Sequence, residues 1–158
     1  MPRTLLIAAA LLASTPVAAQ DVPLPAGPFQ VVGLSPEMSG AVSLPSVRRE
    51  GEIGSATLVM LIGPDMVDQM SGIARMDLDY QFRCAAKESR TVAVTAWAVD
   101  GSVIARLPEE VAEWEAVNPG SPNEATRAFV CDGASLDGPK VNTVEEFVAL
   151  NRSTTEGR

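Results

Sequence analysis

The sequence contains no histidine, only two cysteines, two lysines and seven aromatic residues in a length of 158. Each shortage excludes something. Without histidine there is no Ser-His-Asp or Cys-His nucleophile arrangement and no histidine-ligated zinc, and the side chain most used for acid-base chemistry near neutral pH is missing. Twelve Lys and Arg against 20 Asp and Glu give a net charge of −8. That is the wrong sign for neutralising phosphates, so no nucleic-acid partner is expected. No apolar run reaches the roughly 18 residues that a transmembrane helix needs. What is present is 46% apolar residues in about one domain's length, which fits neither a multidomain enzyme nor a disordered acidic tail. No motif dictates a reaction, and no catalytic residue, metal site or cofactor is expected.

Arg3 precedes the apolar run Leu5 to Ala13, and Ser14-Thr15-Pro16-Val17-Ala18-Ala19 then supplies a turn former and small residues at the −3 and −1 positions of a cut after Ala19. This reads as a secretory signal peptide over residues 1–19. Cleavage would leave 139 residues with 11 basic against 20 acidic side chains, a net charge of −9. With no cysteine near the cut, no lipid anchor is expected. The protein is expected in the periplasm or outside the cell. In an oxidising compartment an isolated cysteine pair is usually a structural disulfide, and the 46 residues between Cys84 and Cys131 fit no zinc or redox spacing. A Cys84–Cys131 bridge is expected, contributing roughly 4 kcal/mol on the chain-entropy account.

Residues 20–28 hold three prolines and read as an extended linker. From Phe29 onward, short apolar runs are separated by Gly, Pro and Asp, the pattern of β-strands; Phe29–Leu34, Ala41–Arg49 and Ala56–Ile62 are candidates. In residues 75–84, Met76, Leu78, Tyr80, Phe82 and Cys84 alternate without a miss against Arg75, Asp77, Asp79, Gln81 and Arg83, which writes out a half-buried strand. Asp77 and Asp79, flanked by Arg75 and Arg83, read as a solvated charge ladder rather than a catalytic pair.

Asp100-Gly101 between the runs Thr91–Val99 and Ser102–Leu107 signals a hairpin with a two-residue type I′ loop. Val99 would then face Ser102. One face collects Val92, Val94, Ala96, Ala98, Val103, Ala105 and Leu107 and reads as the core side. The other carries Trp97, Val99, Ile104 and Arg106, a candidate partner-binding patch if exposed, although large aromatics are usually covered. Glu109, Glu110, Glu113 and Glu115 lie around Trp114 with no EF-hand spacing, and read as the solvent side of a loop and short edge strand. Ser121, Pro122 and Glu124 form a capping box with proline at the first helical position, and Gly133 suits the C-cap. Ala125, Ala128, Phe129 and Cys131 are the expected inward stripe. Thr143 and Glu146 offer a second capping box for a short helix within Val141–Asn151, with a frayed end at Ser153–Arg158. The sequon Asn151-Arg152-Ser153 carries little weight beside a bacterial-type signal sequence.

Several of these segments also resemble a known family. The apolar strand ending in Cys84, Lys87 and Arg90 just after it, the Asp100-Gly101 hairpin, the run Trp114-Glu115-Ala116-Val117-Asn118-Pro119-Gly120-Ser121 and a helix ending in Phe129-Val130-Cys131 are similar in order to the surface-adhesin protein E family of small exported bacterial proteins. Val42–Gly51 is similar to that family's early strand pair, with Leu44 where an acid is often found. The resemblance covers roughly residues 29–133 and leaves 134–158 as a C-terminal extension. It implies an α+β domain in which a curved antiparallel sheet of about five to seven short strands is bound to a helix by the disulfide. The family's named member is a lipid-anchored adhesin for host proteins, so the resemblance implies a non-enzymatic binding module. The partner would be a protein ligand, or a second copy through the sheet. A structural or stress-related periplasmic protein is the alternative, followed by a hydrolase built on Asp77, Asp79, Glu113 and Glu115, which would need two carboxyls converging in a cleft with a raised pKa.

Overall fold

A computed structural model describes residues 22–108 and 112–156, without the side chains of Pro108, Thr155 and Glu156. The signal peptide, its cut site and Glu109–Glu110 lie outside these residues. Among the described residues, nine strands form one antiparallel sheet: β1 (Phe29–Gly33), β2 (Met38–Ser43), β3 (Arg48–Glu50), β4 (Ile53–Ile62), β5 (Ile73–Arg83), β6 (Glu88–Ala98), β7 (Val103–Pro108), β8 (Glu115–Ala116) and β9 (Lys140–Val141). Their order is β7-β6-β5-β4-β2-β1-β9, with β3 on β4 and β8 on β6. The same residues include three helices: α1 (Pro64–Val67), α2 (Pro122–Asp132) and α3 (Val144–Glu156). The strand expected over Ala41–Arg49 is divided by a 3-10 turn at Leu44–Ser46, where Pro45 cannot donate to a ladder.

Successive residues of a strand point to opposite faces, and β4 uses both. Val59 and Leu61 join Phe29, Val31, Ala41, Val141, Val144 and Phe147 in one buried cluster. Leu58, Met60 and Ala56 join Val42, Phe82, Cys84, Val130 and Cys131 in another. The two helices therefore pack on opposite faces of the β1–β2–β4 half of the sheet, α3 in the first cluster and α2 in the second.

The expected disulfide is present: Cys84, just after β5, is bonded to Cys131 in the last turn of α2. Around it, a Cβ on Gly54 would stand 2.6 Å from Val130 Cγ1 and 3.4 Å from Cys131 Sγ. The helix lies this close to β4 because the strand has no side chain there. The buried residues of α2 are Thr126, Arg127, Val130 and Cys131, so the inward stripe is turned from the expected Ala125, Ala128 and Phe129, which are half-buried. Arg127 buries its stem and pairs with Asp132 at 2.9 Å, and Arg49 donates to the Cys131 carbonyl.

Both capping boxes form with one modification. Ser121 Oγ accepts from Glu124 N, and Thr143 Oγ1 from Glu146 N. The returning carboxylates reach one residue further back, Glu124 to Gly120 N and Glu146 to Asn142 N. Gly133 takes the left-handed C-cap conformation at φ 67°. Within the described residues α3 continues to Glu156. The sequon asparagine lies inside α3, where Asn151 Oδ1 accepts from Ser39 Oγ.

The β6–β7 hairpin departs from the expected loop. Only Gly101 has positive φ, at 83°. Ala98 O accepts from Gly101 N and Ala98 N donates to Ser102 O, the pattern of a type I turn followed by a glycine bulge. Asp100 Oδ1 favours this turn by accepting from Ser102 N and Oγ at 2.9 and 2.6 Å. The expected pairing holds over Ala93–Ala96, but Trp97 then pairs with Val103 rather than Ile104.

Candidate binding surface

The β5–β6–β7 half departs from the expected facing on both sides, although Ala96 of the expected core face is buried. Leu107 and Val103, assigned to the core, are 58% and 39% exposed, whereas Trp97 is 6% exposed. Trp97 lies under the Arg75 guanidinium, 4.0 Å from the ring centroid, and its Nε1 donates to Asp77 Oδ2 at 2.7 Å. Arg75 donates to the same oxygen at 3.1 Å, and its Nε lies 3.1 Å from Asp77 Oδ1. Asp77 is thus a buried polar node and not part of a solvated ladder. Burial pushes its carboxyl above the ordinary aspartate value, against the lowering effects of Arg75 and the Trp97 hydrogen bond. Asp79 accepts from Thr57 Oγ1 at 2.6 Å.

Trp97 therefore leaves the candidate patch. Its other members are at the surface, Val99 at 76%, Ile104 at 46% and Arg106 exposed as well. Leu107 and Val103 join them, so among the described residues four of the six exposed large apolar side chains lie at this hairpin. β7 also ends the strand order, with β6 as its neighbour on the inner side. An edge strand with this much apolar surface is the kind that natural proteins ordinarily blunt with charge; here Arg106 is its one charged residue between Val103 and Leu107.

A second feature lies where β7's course resumes as β8 along the same edge of β6. Glu88 pairs with Ala116 and Ser89 with Glu115. Trp114 is placed so that the Arg83 and Arg90 guanidinium carbons lie 4.3 and 4.6 Å from its ring centroid. Arg90 is further held by Gln81 Oε1 at 2.7 and 2.9 Å. Between this edge and the start of α2 lies a cavity of about 360 Å³, lined by Tyr80, Ser89, Thr91, Glu113, Glu115 and Asn123 among others. Burial raises the Tyr80 phenol above its ordinary value. A smaller cavity of about 270 Å³ includes Ser46, Thr57, Asp79 and Gln81.

Of the four acids weighed for catalysis, Glu113 and Glu115 are exposed, as expected, at the larger cavity. Asp77, the one that burial pushes up, lines neither cavity. Its oxygens face Arg75 and Trp97. Among the described residues no cluster of three or more Cys, Asp or Glu is arranged to hold a metal ion, and no helix is long and apolar enough to cross a membrane. The cavity is not legible in the sequence because its walls come from three separate segments. The one local hint was Ser121-Pro122-Asn123 opening a helix close after the acid-rich strand.

In comparisons with known proteins, a family model described as Surface-adhesin protein E matches residues 32–132, 101 of the 158. No curated protein matches the chain, and no solved structure does.

Proposed function

Because this chain belongs to the surface-adhesin protein E family, we propose that it is an exported, non-enzymatic binding module of the cell envelope or the secreted fraction, and that it holds a protein partner at the β6–β7 hairpin. The observation that carries the reading is the apolar surface of Val103, Ile104 and Leu107 on the edge strand β7, with Val99 in the turn before it. A free strand edge offers backbone hydrogen bonds to an added strand, and the side chains on it supply selectivity. Export is supported by the signal-like residues 1–19 and by the Cys84–Cys131 disulfide, which persists in an oxidising compartment.

Two measurements check this. The exported form should have the mass of a chain beginning at Gln20; a mass that includes Met1 would refute cleavage. Affinity capture by the mature protein should be lost in an Ile104→Asp/Leu107→Asp variant whose melting temperature is unchanged, because both side chains already face solvent. Equal capture by the two proteins would remove the hairpin as the binding surface.

A further inference from the structure

Among the described residues four strands have a single neighbour: β3, β7, β8 and β9. Three of these edges are blunted, since each is only two or three residues long and carries charge: Arg48, Arg49 and Glu50 on β3, Glu115 on β8 and Lys140 on β9. β7 has six residues, of which Arg106 alone is charged. We infer that the β7 edge receives an extended segment of a partner polypeptide, with one carboxylate opposite Arg106 and apolar residues opposite Ala105 and Leu107. This rests on the hairpin reading above and adds to it the chemistry of the partner.

Arg106 gives the specific signal. It is exposed, and among the described residues it has no hydrogen-bond or ion-pair partner. The other described arginines are all engaged. Arg75, Arg83 and Arg127 face carboxylates, Arg90 bonds to Gln81, Arg48 and Arg49 donate to backbone carbonyls, and Arg152 has a partner as well.

From Ala105 to Pro108, β7 pairs with β6 without a break, Arg106 opposite Thr95 and Leu107 opposite Val94. Arg106 therefore points to one face of the edge, and Ala105 and Leu107 to the other. An added strand meets the same alternation, and opposite charges set directly across from each other favour the pairing. A second copy joined β7 to β7 cannot supply the charge, because β7 contains no acid. A free anion would neutralise Arg106 but leave the outward backbone groups and Leu107 uncovered.

The test is amide NMR of the full mature chain titrated with the peptide N-acetyl-Ser-Thr-Val-Glu-Val-Thr-Ser-amide and with its counterpart carrying Lys in place of Glu. The Glu peptide should give saturable shifts at Ala105, Arg106 and Leu107, and the Lys peptide should bind about fivefold more weakly. Arg106→Glu, a change at an exposed side chain that leaves the melting temperature unaltered, should reverse that order. The inference is overturned by absent or unsaturable shifts, or by an order that Arg106→Glu does not change. Equal binding of the two peptides would overturn it too, since Arg106 would then only guard the edge against aggregation. So would self-association of the chain, seen in sedimentation, that competes with the Glu peptide. Capture of a partner that Ile104→Asp/Leu107→Asp abolishes and Arg106→Glu leaves whole would overturn this inference while the hairpin reading stands.

Discussion

Asp77 shows how far a residue's role depends on what covers it. Strand periodicity correctly puts it on the face opposite Leu78, beside Arg75 and Asp79. It carries no information about whether that face meets water, and here Trp97 and Arg75 close over the carboxylate. The same gap explains Trp97, whose indole was legible as a large aromatic on the polar side of β6 but whose hydrogen bond is to a residue 20 positions earlier. The charge state of Asp77 has a measurable sign. A carboxyl whose pKa is raised on folding binds a proton more readily in the native state, so its favourable contribution is complete below the unfolded value of 3.8 and is lost as pH rises through the higher folded value. The melting-temperature difference between wild type and Asp77→Asn should therefore move in favour of wild type as pH falls from 7 toward 4. A difference that stays constant with pH would show that Asp77 titrates alike in both states.

Among the elements, those with strong local codes were the most legible. Capping residues and the left-handed Gly133 bound α2 where the sequence places it, and the alternation in residues 75–84 is β5. The pairing of Cys84 with Cys131 also follows from compartment and spacing. The rotation of α2 was hidden, because it depends on Gly54, 76 positions before Val130, leaving room for that side chain on β4. The hairpin loop was hidden for a different reason. Asp-Gly serves both a two-residue loop and a type I turn with a glycine bulge, and the Ser102 hydrogen bonds to Asp100 favour the second. That choice shifts the register by one residue at Trp97 and leaves Ile104 at the surface.

For the whole molecule, the family match ends at residue 132, yet α3 and β9 close one of its two apolar clusters. Phe147 is fully buried in that cluster against β1, β2 and β4. The C-terminal extension is therefore part of the folded core. Phe147→Ala should cost about 3–5 kcal/mol, read from denaturant unfolding; a loss below about 1 kcal/mol would mean that α3 is a dispensable cover. A core built on both faces at one end of the sheet leaves the β5–β6–β7 end to carry the exposed hairpin and the cavity beside β8. This division between a buried end and an available end was not readable from composition, because both are built from similar short apolar runs.

The placement of the two tryptophans has an optical consequence. Trp97 and Trp114 are the only indoles in the chain; Trp97 is buried near the end of β6 and hydrogen-bonded to Asp77, and Trp114, just before β8 on the start of β6, lies beneath two guanidinium groups. Their emission should therefore differ in sensitivity to an added quencher. Light from Trp97 reports the integrity of packing around Asp77, and light from Trp114 reports events at the rim between Glu113 and Glu115. The protein thus has two built-in fluorescent probes, one for the packing around Asp77 and one for the β8 edge, without any attached label.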